Sequence, residues 1–236
     1  MTRRYGKLGN DATVNGSIAT SQVGGHFNVG KDVKMADDTV VIGDTVRIGE
    51  GSNVFAVWTN HLWSQPTAVI RDGTDSAILP VLDPYCAMPV VTCGGPDVDL
   101  EVNASSGLLA PGSYNNVMVR NGAALKLAPG TFNFCRLLVG RNGSVEAQGT
   151  VTVNVKGPVR FGTEASLAPI ASAPPVQLNV TGSQIRFGQN AVANAHITAP
   201  GALLRFGRSA VFDGSFCVDM LRDDKHITMS CTCDAP

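Results

Sequence analysis

The chain has 236 residues, of which 44% are hydrophobic and only 16% are charged, and its formal net charge is −1. This composition allows a large buried core and lacks the basic excess expected of a general nucleic-acid-binding protein. No apolar run approaches the roughly 20 residues that a membrane-spanning helix needs.

The first segment, residues 1–57, alternates short apolar stretches with Gly, Asp and Asn turns, a pattern typical of strands. Within it, Ile42-Gly43, Ile48-Gly49 and Val54 recur every six residues, which is similar to the hexapeptide pattern of left-handed β-helices. No part of the chain has helical periodicity over about 12 residues or more. We therefore predict N-terminal β-helix rungs in this segment.

Residues 58–97 interrupt that rhythm and contain both tryptophans, Trp58 and Trp63, together with two cysteines and several prolines. We predict either an excursion from the side of the coil or a junction between two blocks of rungs. His61 is the candidate general base if the chain is a left-handed β-helix acyltransferase.

Three acidic residues, Asp97, Asp99 and Glu101, alternate with apolar residues at the start of the next segment. On a strand they share one face at spacings of about 7 Å. Such a cluster is compatible with a calcium site or with the carboxylates of a glycosidase. Because no other rung supplies matching acids, the pattern favours a solvated acidic face, with calcium as the second possibility and catalysis as the third.

Residues 98–217 contain the clearest repeat, a tetrapeptide that alternates apolar, charged and apolar residues before a glycine. Its three copies are Val159-Arg160-Phe161-Gly162, Ile185-Arg186-Phe187-Gly188 and Leu204-Arg205-Phe206-Gly207. With looser copies upstream, the step is about 20 residues, within the range of solenoid repeats. We predict an all-β, single-stranded parallel β-helix, right-handed because strand crossovers have that hand, with residues 218–236 as a cap and tail.

The repeat also predicts what lies inside and outside the coil. Stacking places Phe161, Phe187 and Phe206 in a core ladder and Arg160, Arg186 and Arg205 side by side on the outer face. The arginine row is a candidate track for an acidic polysaccharide, although nearby carboxylates or solvent often neutralise such residues. Three Ala-Pro-Gly sequences, ending at Gly112, Gly130 and Gly201, predict type II turns at the corners.

The chain has six cysteines, none of them in a Cys-x-x-Cys pair: Cys86, Cys93, Cys135, Cys217, Cys231 and Cys233. Their even number favours disulfides formed in an oxidising compartment, and free buried thiols in a cytoplasmic protein are the alternative. Two pairings are suggested by position, Cys86 with Cys93 across a short loop and Cys135 with Cys217 on stacked rungs.

The stretch from about Leu108 to Cys231 resembles the β-helical domains of exported bacterial surface and pilus-associated proteins. The resemblance lies in the sequences Leu-x-Pro-Gly-Ser-Tyr, Leu-Ala-Pro-Gly-Thr-Phe, x-Arg-Phe-Gly and Phe-x-Gly-x-Phe-Cys. The architecture is also similar to that of the bactofilins, right-handed β-helices that polymerise end to end. Because bactofilins are cytoplasmic and poor in cysteine, the resemblance implies the architecture and no functional residues.

Sequence motifs for a nucleophile elbow, a phosphate-binding loop or a dinucleotide site are absent, and we predict no catalytic residues. Since a solenoid has two open edges, we expect a non-enzymatic extracellular protein of the bacterial cell surface. It would self-assemble end to end into a filament or decorate an appendage, with a leader replaced by the initiator methionine. The alternatives are a module that binds an anionic polysaccharide and a β-helix polysaccharide lyase or hydrolase. We expect no cofactor other than calcium, no nucleic-acid partner and no membrane span.

Overall fold

A computed structural model describes residues 2–75, 88, 90–93, 99–105, 107–170 and 172–230. Within these residues the secondary structure consists of β-strands joined by turns, without a helix. Parallel strands about 20 residues apart stack into a β-solenoid of about 10 turns. The predicted all-β solenoid fold is therefore confirmed.

The strands of the solenoid are short, and most of them alternate buried and outward-facing residues. In chain order they are β1 (Thr2–Leu8), β2 (Thr13–Asn15), β3 (Ile18–Ala19), β4 (His26–Val29), β5 (Lys34–Met35), β6 (Val40–Ile48), β7 (Asn53–Ser64), β8 (Val69–Asp75), β9 (Leu100–Val102), β10 (Leu108–Leu109), β11 (Gly112–Val119), β12 (Ala124–Leu127), β13 (Gly130–Val139), β14 (Ser144–Ala147), β15 (Val151–Val155), β16 (Val159–Phe161), β17 (Ser166–Pro169), β18 (Val176–Val180), β19 (Gln184–Phe187), β20 (Val192–Phe206), β21 (Val211–Asp223) and β22 (Thr228–Ser230).

The order of the strands in the stack differs from their order in the chain. On the face that carries the Arg-Phe-Gly repeats, the order is β9, β11, β13, β16, β19, β20, β21, β1, β4, β6 and β7. Strand β1 therefore pairs in parallel with β21, with Gly6 beside Leu221 and Lys7 beside Arg222. The first and last rungs meet in the middle of the stack, and Asp75 and Leu100 lie towards its opposite ends.

This order corrects two predicted boundaries. Residues 58–64 complete β7 and residues 69–75 form β8, so this part of the predicted excursion consists of rungs. Residues 218–223 complete β21, which pairs with β20 on one side and β1 on the other, so they are not a cap. The prediction of a cap assumed that the end of the sequence is also the end of the stack. Residues 76–87, 89, 94–97 and 231–236 of these two segments lie outside the described residues.

The core contains the phenylalanine ladder that the tetrapeptide predicts. Phe161, Phe187 and Phe206 occupy successive rungs in register, and all three are buried. The ring centroids of Phe161 and Phe187 are 4.8 Å apart, and those of Phe187 and Phe206 are 5.3 Å apart, with nearly parallel planes. Stacked rings add to the free energy gained from apolar burial, so each rung is held to the next by its side chains as well as by its backbone.

The glycine that ends each tetrapeptide forms a corner where successive rungs touch. A Cβ atom on Gly188 would lie 2.4 Å from the carbonyl oxygen of Gly162, and one on Gly207 would lie 2.6 Å from the carbonyl carbon of Gly188. No larger residue fits there unless the backbone moves. Two residues later the chain takes a positive φ, 59° at Glu164 and 53° at Asn190, which completes the same corner in each rung.

The prediction of type II turns is wrong at two of the three Ala-Pro-Gly sequences, those that end at Gly112 and Gly201, whereas Gly130, which begins β13, has a positive φ of 135°. A type II turn needs a positive φ at its glycine, and neither Gly112 nor Gly201 has one. Gly112 begins β11 and Gly201 lies within β20, where pairing with neighbouring rungs holds the backbone extended. In this fold the glycine of Pro-Gly either begins a strand or lies where the pairing register of a strand shifts, as in β20 between Ala199 and Leu203.

A disulfide joins Cys93 to Cys135 in β13, with Cα atoms 5.1 Å apart. Neither pairing suggested by the sequence is therefore formed. Cys217, which is also disulfide-bonded, aligns with residue 133 of β13 through four rung steps, or about 19 Å. That separation is too large for a bond to Cys135. Cys86, Cys231 and Cys233 lie outside the described residues.

The rung at the junction of β21 and β1 has a carboxyl group in the core. Asp223 pairs in register with Phe206 and is 3% exposed. The backbone N–H of Gly9 donates a hydrogen bond to Oδ1 of Asp223, while Oδ2 is buried without a hydrogen-bond partner among the described residues. Burial raises the pKa of Asp223 well above its ordinary value. The junction therefore contains an unfavourable group at neutral pH.

We expect Asp223→Asn to raise the free energy of unfolding at pH 7. Because the pKa of Asp223 is raised in the folded state, ionisation opposes folding. That penalty is absent below the ordinary pKa of 3.8 and grows as the pH rises through it. The gain in melting temperature should therefore be largest near pH 7 and shrink towards pH 4. Asp72→Asn, which neutralises an exposed carboxyl group elsewhere, is the control, and a gain that increased at low pH would contradict the expectation.

Joining the two ends of the chain and opening it directly after Asp75 should give a protein with the same stack. Fourteen residues follow Arg222 and Lys7 is the seventh residue, so the joined ends make a step of 21 residues. The step from Lys7 to Asn28 is equally long. Circular dichroism should show an unchanged β spectrum and a melting temperature within a few degrees of the parent. An unfolded product would contradict the pairing of β1 with β21.

Candidate functional site

Side chains that alternate with the phenylalanine ladder form a row of basic residues on the outer face. In the pairing register these basic residues lie on successive strands of the stack, β16, β19, β20, β21, β1 and β6. Asn28 of β4 lies between the last two. At about 4.8 Å per rung, the six steps from Arg160 to Arg47 span about 29 Å. We call the six basic residues the cationic row: Arg160, Arg186, Arg205, Arg222, Lys7 and Arg47.

The sequence predicts only half of this row. Arg160, Arg186 and Arg205 are adjacent as expected. Arg222 was missed because Asp223 and Asp224 follow it in place of an apolar residue and a glycine, and Lys7 was missed because it joins the row only through the pairing of β1 with β21. A signal for Lys7 exists in the sequence, since Gly6-Lys7-Leu8-Gly9 has the same alternation of a cation, an apolar residue and a glycine as the tetrapeptide.

The positive charge of the row is only partly compensated. Among the described residues, one member of the row has a carboxylate within ion-pair distance, Arg205, whose Nη2 lies 3.5 Å from Oδ1 of Asp224. Arg160, Arg186 and Arg222 are exposed. Two like charges about 4 Å apart repel by about 1 kcal/mol even in water. An anion lying along the row would relieve this repulsion.

A shallow groove runs beside the row where the solenoid turns its corner. Three corner glycines and the arginines of adjacent rungs line it. The main lining residues are Arg160, Arg186, Arg205, Gly162, Gly188 and Gly207. An open groove of this kind suits a linear ligand better than a small molecule, which proteins usually enclose.

At one end the row reaches an aromatic side chain. Trp63 of β7 pairs in register with Arg47 of β6 and is 55% exposed. Thr45 and His61 pair with each other two residues earlier and line the same depression as Arg47 and Trp63. At the other end the row stops at Leu138, the partner of Arg160.

The two described residues of the predicted acidic cluster, Asp99 and Glu101, bind neighbouring side chains. The backbone N–H and Nδ2 of Asn116 donate hydrogen bonds of 3.0 and 2.9 Å to Oδ1 of Asp99. Oε1 of Glu101 lies 2.8 Å from Nε of Arg120, and this hydrogen-bonded ion pair lowers the pKa of Glu101. Asp97 lies outside the described residues. Within the described part of the chain, no group of three potential metal ligands is present.

A ladder of amide side chains on another face was not predicted. Nδ2 of Asn154 donates to Oδ1 of Asn133, and Nδ2 of Asn179 donates to Oδ1 of Asn154, each at 2.9 Å. The signal in the sequence is an asparagine flanked by apolar residues in three successive rungs. These amides, of which Asn154 is buried, bind one another and so favour the observed register.

The comparisons add no relative from which a role could be transferred. No helix in the described ranges is long and apolar enough to cross a membrane. No protein-family model, no curated protein and no solved structure matches this chain.

Proposed function

We propose that this β-solenoid is a non-enzymatic extracellular protein that binds an acidic polysaccharide along the cationic row. The observation that supports the proposal is the register of six basic side chains over seven consecutive rungs, with one carboxylate within ion-pair distance of them among the described residues. A linear ligand with anionic groups at regular intervals matches this spacing along its length.

The rest of the molecule favours a polysaccharide over a nucleic acid. The formal net charge is −1, so the chain as a whole has no basic excess. A nucleic-acid-binding domain is usually basic as a whole. The disulfide between Cys93 and Cys135 is typical of oxidising compartments outside the cytoplasm, where cell-surface polysaccharides are found.

The groove supports binding without hydrolysis. Glycosidases generally place two carboxyl groups on either side of the scissile bond. Among the residues that line the groove, the one acid is Asp224, and its carboxylate faces Arg205. The groove therefore has the charge to hold an anionic chain but lacks the paired acids that cut one.

Replacing three members of the row that have no ion-pair partner among the described residues should weaken binding strongly. In the triple variant Arg160→Gln, Arg186→Gln and Arg222→Gln, we expect affinity for dextran sulfate to fall by about tenfold or more, since three charge contacts are lost. Binding should also become less sensitive to salt, because fewer charges are screened. The melting temperature should stay equal or rise, because repulsion within the row is removed.

The matched control neutralises three exposed basic residues away from the row: Lys34, Arg136 and Lys156. Isothermal titration calorimetry at two salt concentrations measures both variants. Equal losses in the two triple variants would show that net charge alone drives retention, and the proposal would then fail.

A second candidate function, end-to-end assembly, is favoured by the two ends of the stack, where no described strand pairs beyond Leu62 in β7 or beyond β9. Leu62 continues the buried column of Phe27 and Val46, yet it is 39% exposed because no described strand pairs beyond it. Leu100 stands at the opposite end of the same column. If copies stack in register, Leu62 of one copy meets Leu100 of the next, and the solenoid continues as a filament.

Leu62→Asp should prevent this assembly, because it places a charge in the contact between copies. Sedimentation velocity at rising protein concentration should show larger species for the parent and monomers for the variant. Val192→Asp is the control, since Val192 is 43% exposed but lies on an outer face in the middle of the stack. A parent protein that stays monomeric at every concentration, with single particles in electron micrographs, would remove this second candidate.

A further inference from the structure

We propose that Trp63, together with Arg47, Thr45 and His61, forms a sugar-stacking subsite at the end of the cationic row. The ligand is then recognised as a saccharide and not only as a polyanion. This inference rests on the proposed function of the row and adds the ligand class to it.

The subsite is continuous with the row. Trp63 occupies the next outward position after Arg47, one rung further along the stack. An anionic chain that follows the row from Arg160 therefore reaches the indole after about 34 Å, or seven rung steps. Thr45 and His61 stand two residues earlier on the same two strands and supply polar groups beside the ring.

The residue types match an acidic sugar. A pyranose ring has an apolar C–H face, which packs on the flat, rigid surface of an indole, and hydroxyl groups at its edge, which need polar partners. Arg47 supplies the charge and the planar donors that suit a carboxylate or a sulfate. Stacking, hydrogen bonding and ion pairing are thus available within one depression.

The second tryptophan gives a matched comparison in the same strand. Trp58 is 41% exposed, five residues before Trp63. Its register neighbours are Ile42 on one side and Asp75 on the other, so no basic residue lies next to it in the ladder. Trp58 therefore has an exposed indole that does not adjoin the cationic row. Comparing the two tryptophans separates the effect of an exposed indole from the effect of its position beside the row.

Three probes separate the contributions of charge and sugar. Dextran sulfate carries both, inorganic polyphosphate carries the charge without the sugar, and unmodified dextran carries the sugar without the charge. For Trp63→Ala we expect affinity for dextran sulfate to fall by about tenfold and affinity for polyphosphate to stay within about twofold of the parent. Trp63→Phe should restore part of the loss, and Trp58→Ala should leave both affinities unchanged. Dextran should bind weakly or not at all.

Fluorescence gives a readout that does not depend on affinity. The chain has two tryptophans, so Trp58→Phe leaves Trp63 as the single emitting indole. Its emission should shift to shorter wavelength on addition of dextran sulfate, because the sugar face displaces water from the ring. Polyphosphate at saturating concentration should leave the emission maximum in place.

Several outcomes would overturn the inference, and they differ from failure of the proposed function. Failure of the parent to bind either polyanion removes the function and the subsite together. A parent that binds both, with Trp63→Ala either unchanged for both or weakened equally for both, keeps the row and removes the subsite. A Trp63-dependent affinity for single-stranded oligothymidylate above that for dextran sulfate would show base stacking instead. An effect of Trp63→Ala that disappears when sedimentation shows only monomers would assign the indole to contacts between copies.

Discussion

The parallel pairing of each strand with the equivalent strand of the next rung is the constraint on which the rest of this structure depends. Parallel pairing in register puts every side chain above its counterpart at about 4.8 Å. If the sequence repeats a residue type at the same position of successive rungs, those side chains form a continuous row along the stack. The inward positions give stacked phenylalanines, the corners give glycines in contact, and the outward positions give a row of basic residues. The core, the corners and the candidate site therefore all result from the same register of strand pairing.

The sequence predicts what the repeat makes visible and misses what depends on distant pairing. The solenoid, the phenylalanine ladder and three of the six basic residues follow from the Arg-Phe-Gly tetrapeptide, because neighbouring copies are about 20 residues apart. Arg222 escapes this reasoning, since the residues after it are Asp223 and Asp224 where other rungs have an apolar residue and a glycine. Lys7 escapes because its partner stands more than 200 residues away in the chain. The predicted disulfide pairings were wrong for a related reason, because the distance between two cysteines depends on how many rungs separate them.

Two features of the fold cost stability, and both lie close to the cationic row. The row itself gathers like charges on one face with one carboxylate near them in the described chain. Asp223, directly after Arg222, buries a carboxyl group with an oxygen that lacks a partner within the described residues. Natural proteins retain such departures from local rules chiefly at functional sites, where binding compensates for them. Their proximity is independent of the repeat and supports the proposal that this face binds a ligand.

The meeting of the first and last rungs also affects how the fold is reached. In most solenoids contacts are nearly all between neighbouring repeats, so folding proceeds along the chain as repeats are added. Here β1 gains its second neighbour only when β21 exists, and that contact closes a loop of more than 200 residues. Long-range closure slows folding. On a ribosome, the edge of β1 that faces β21 stays unpaired until β21 has been synthesised, so this strand edge is open while all the rungs between them are made.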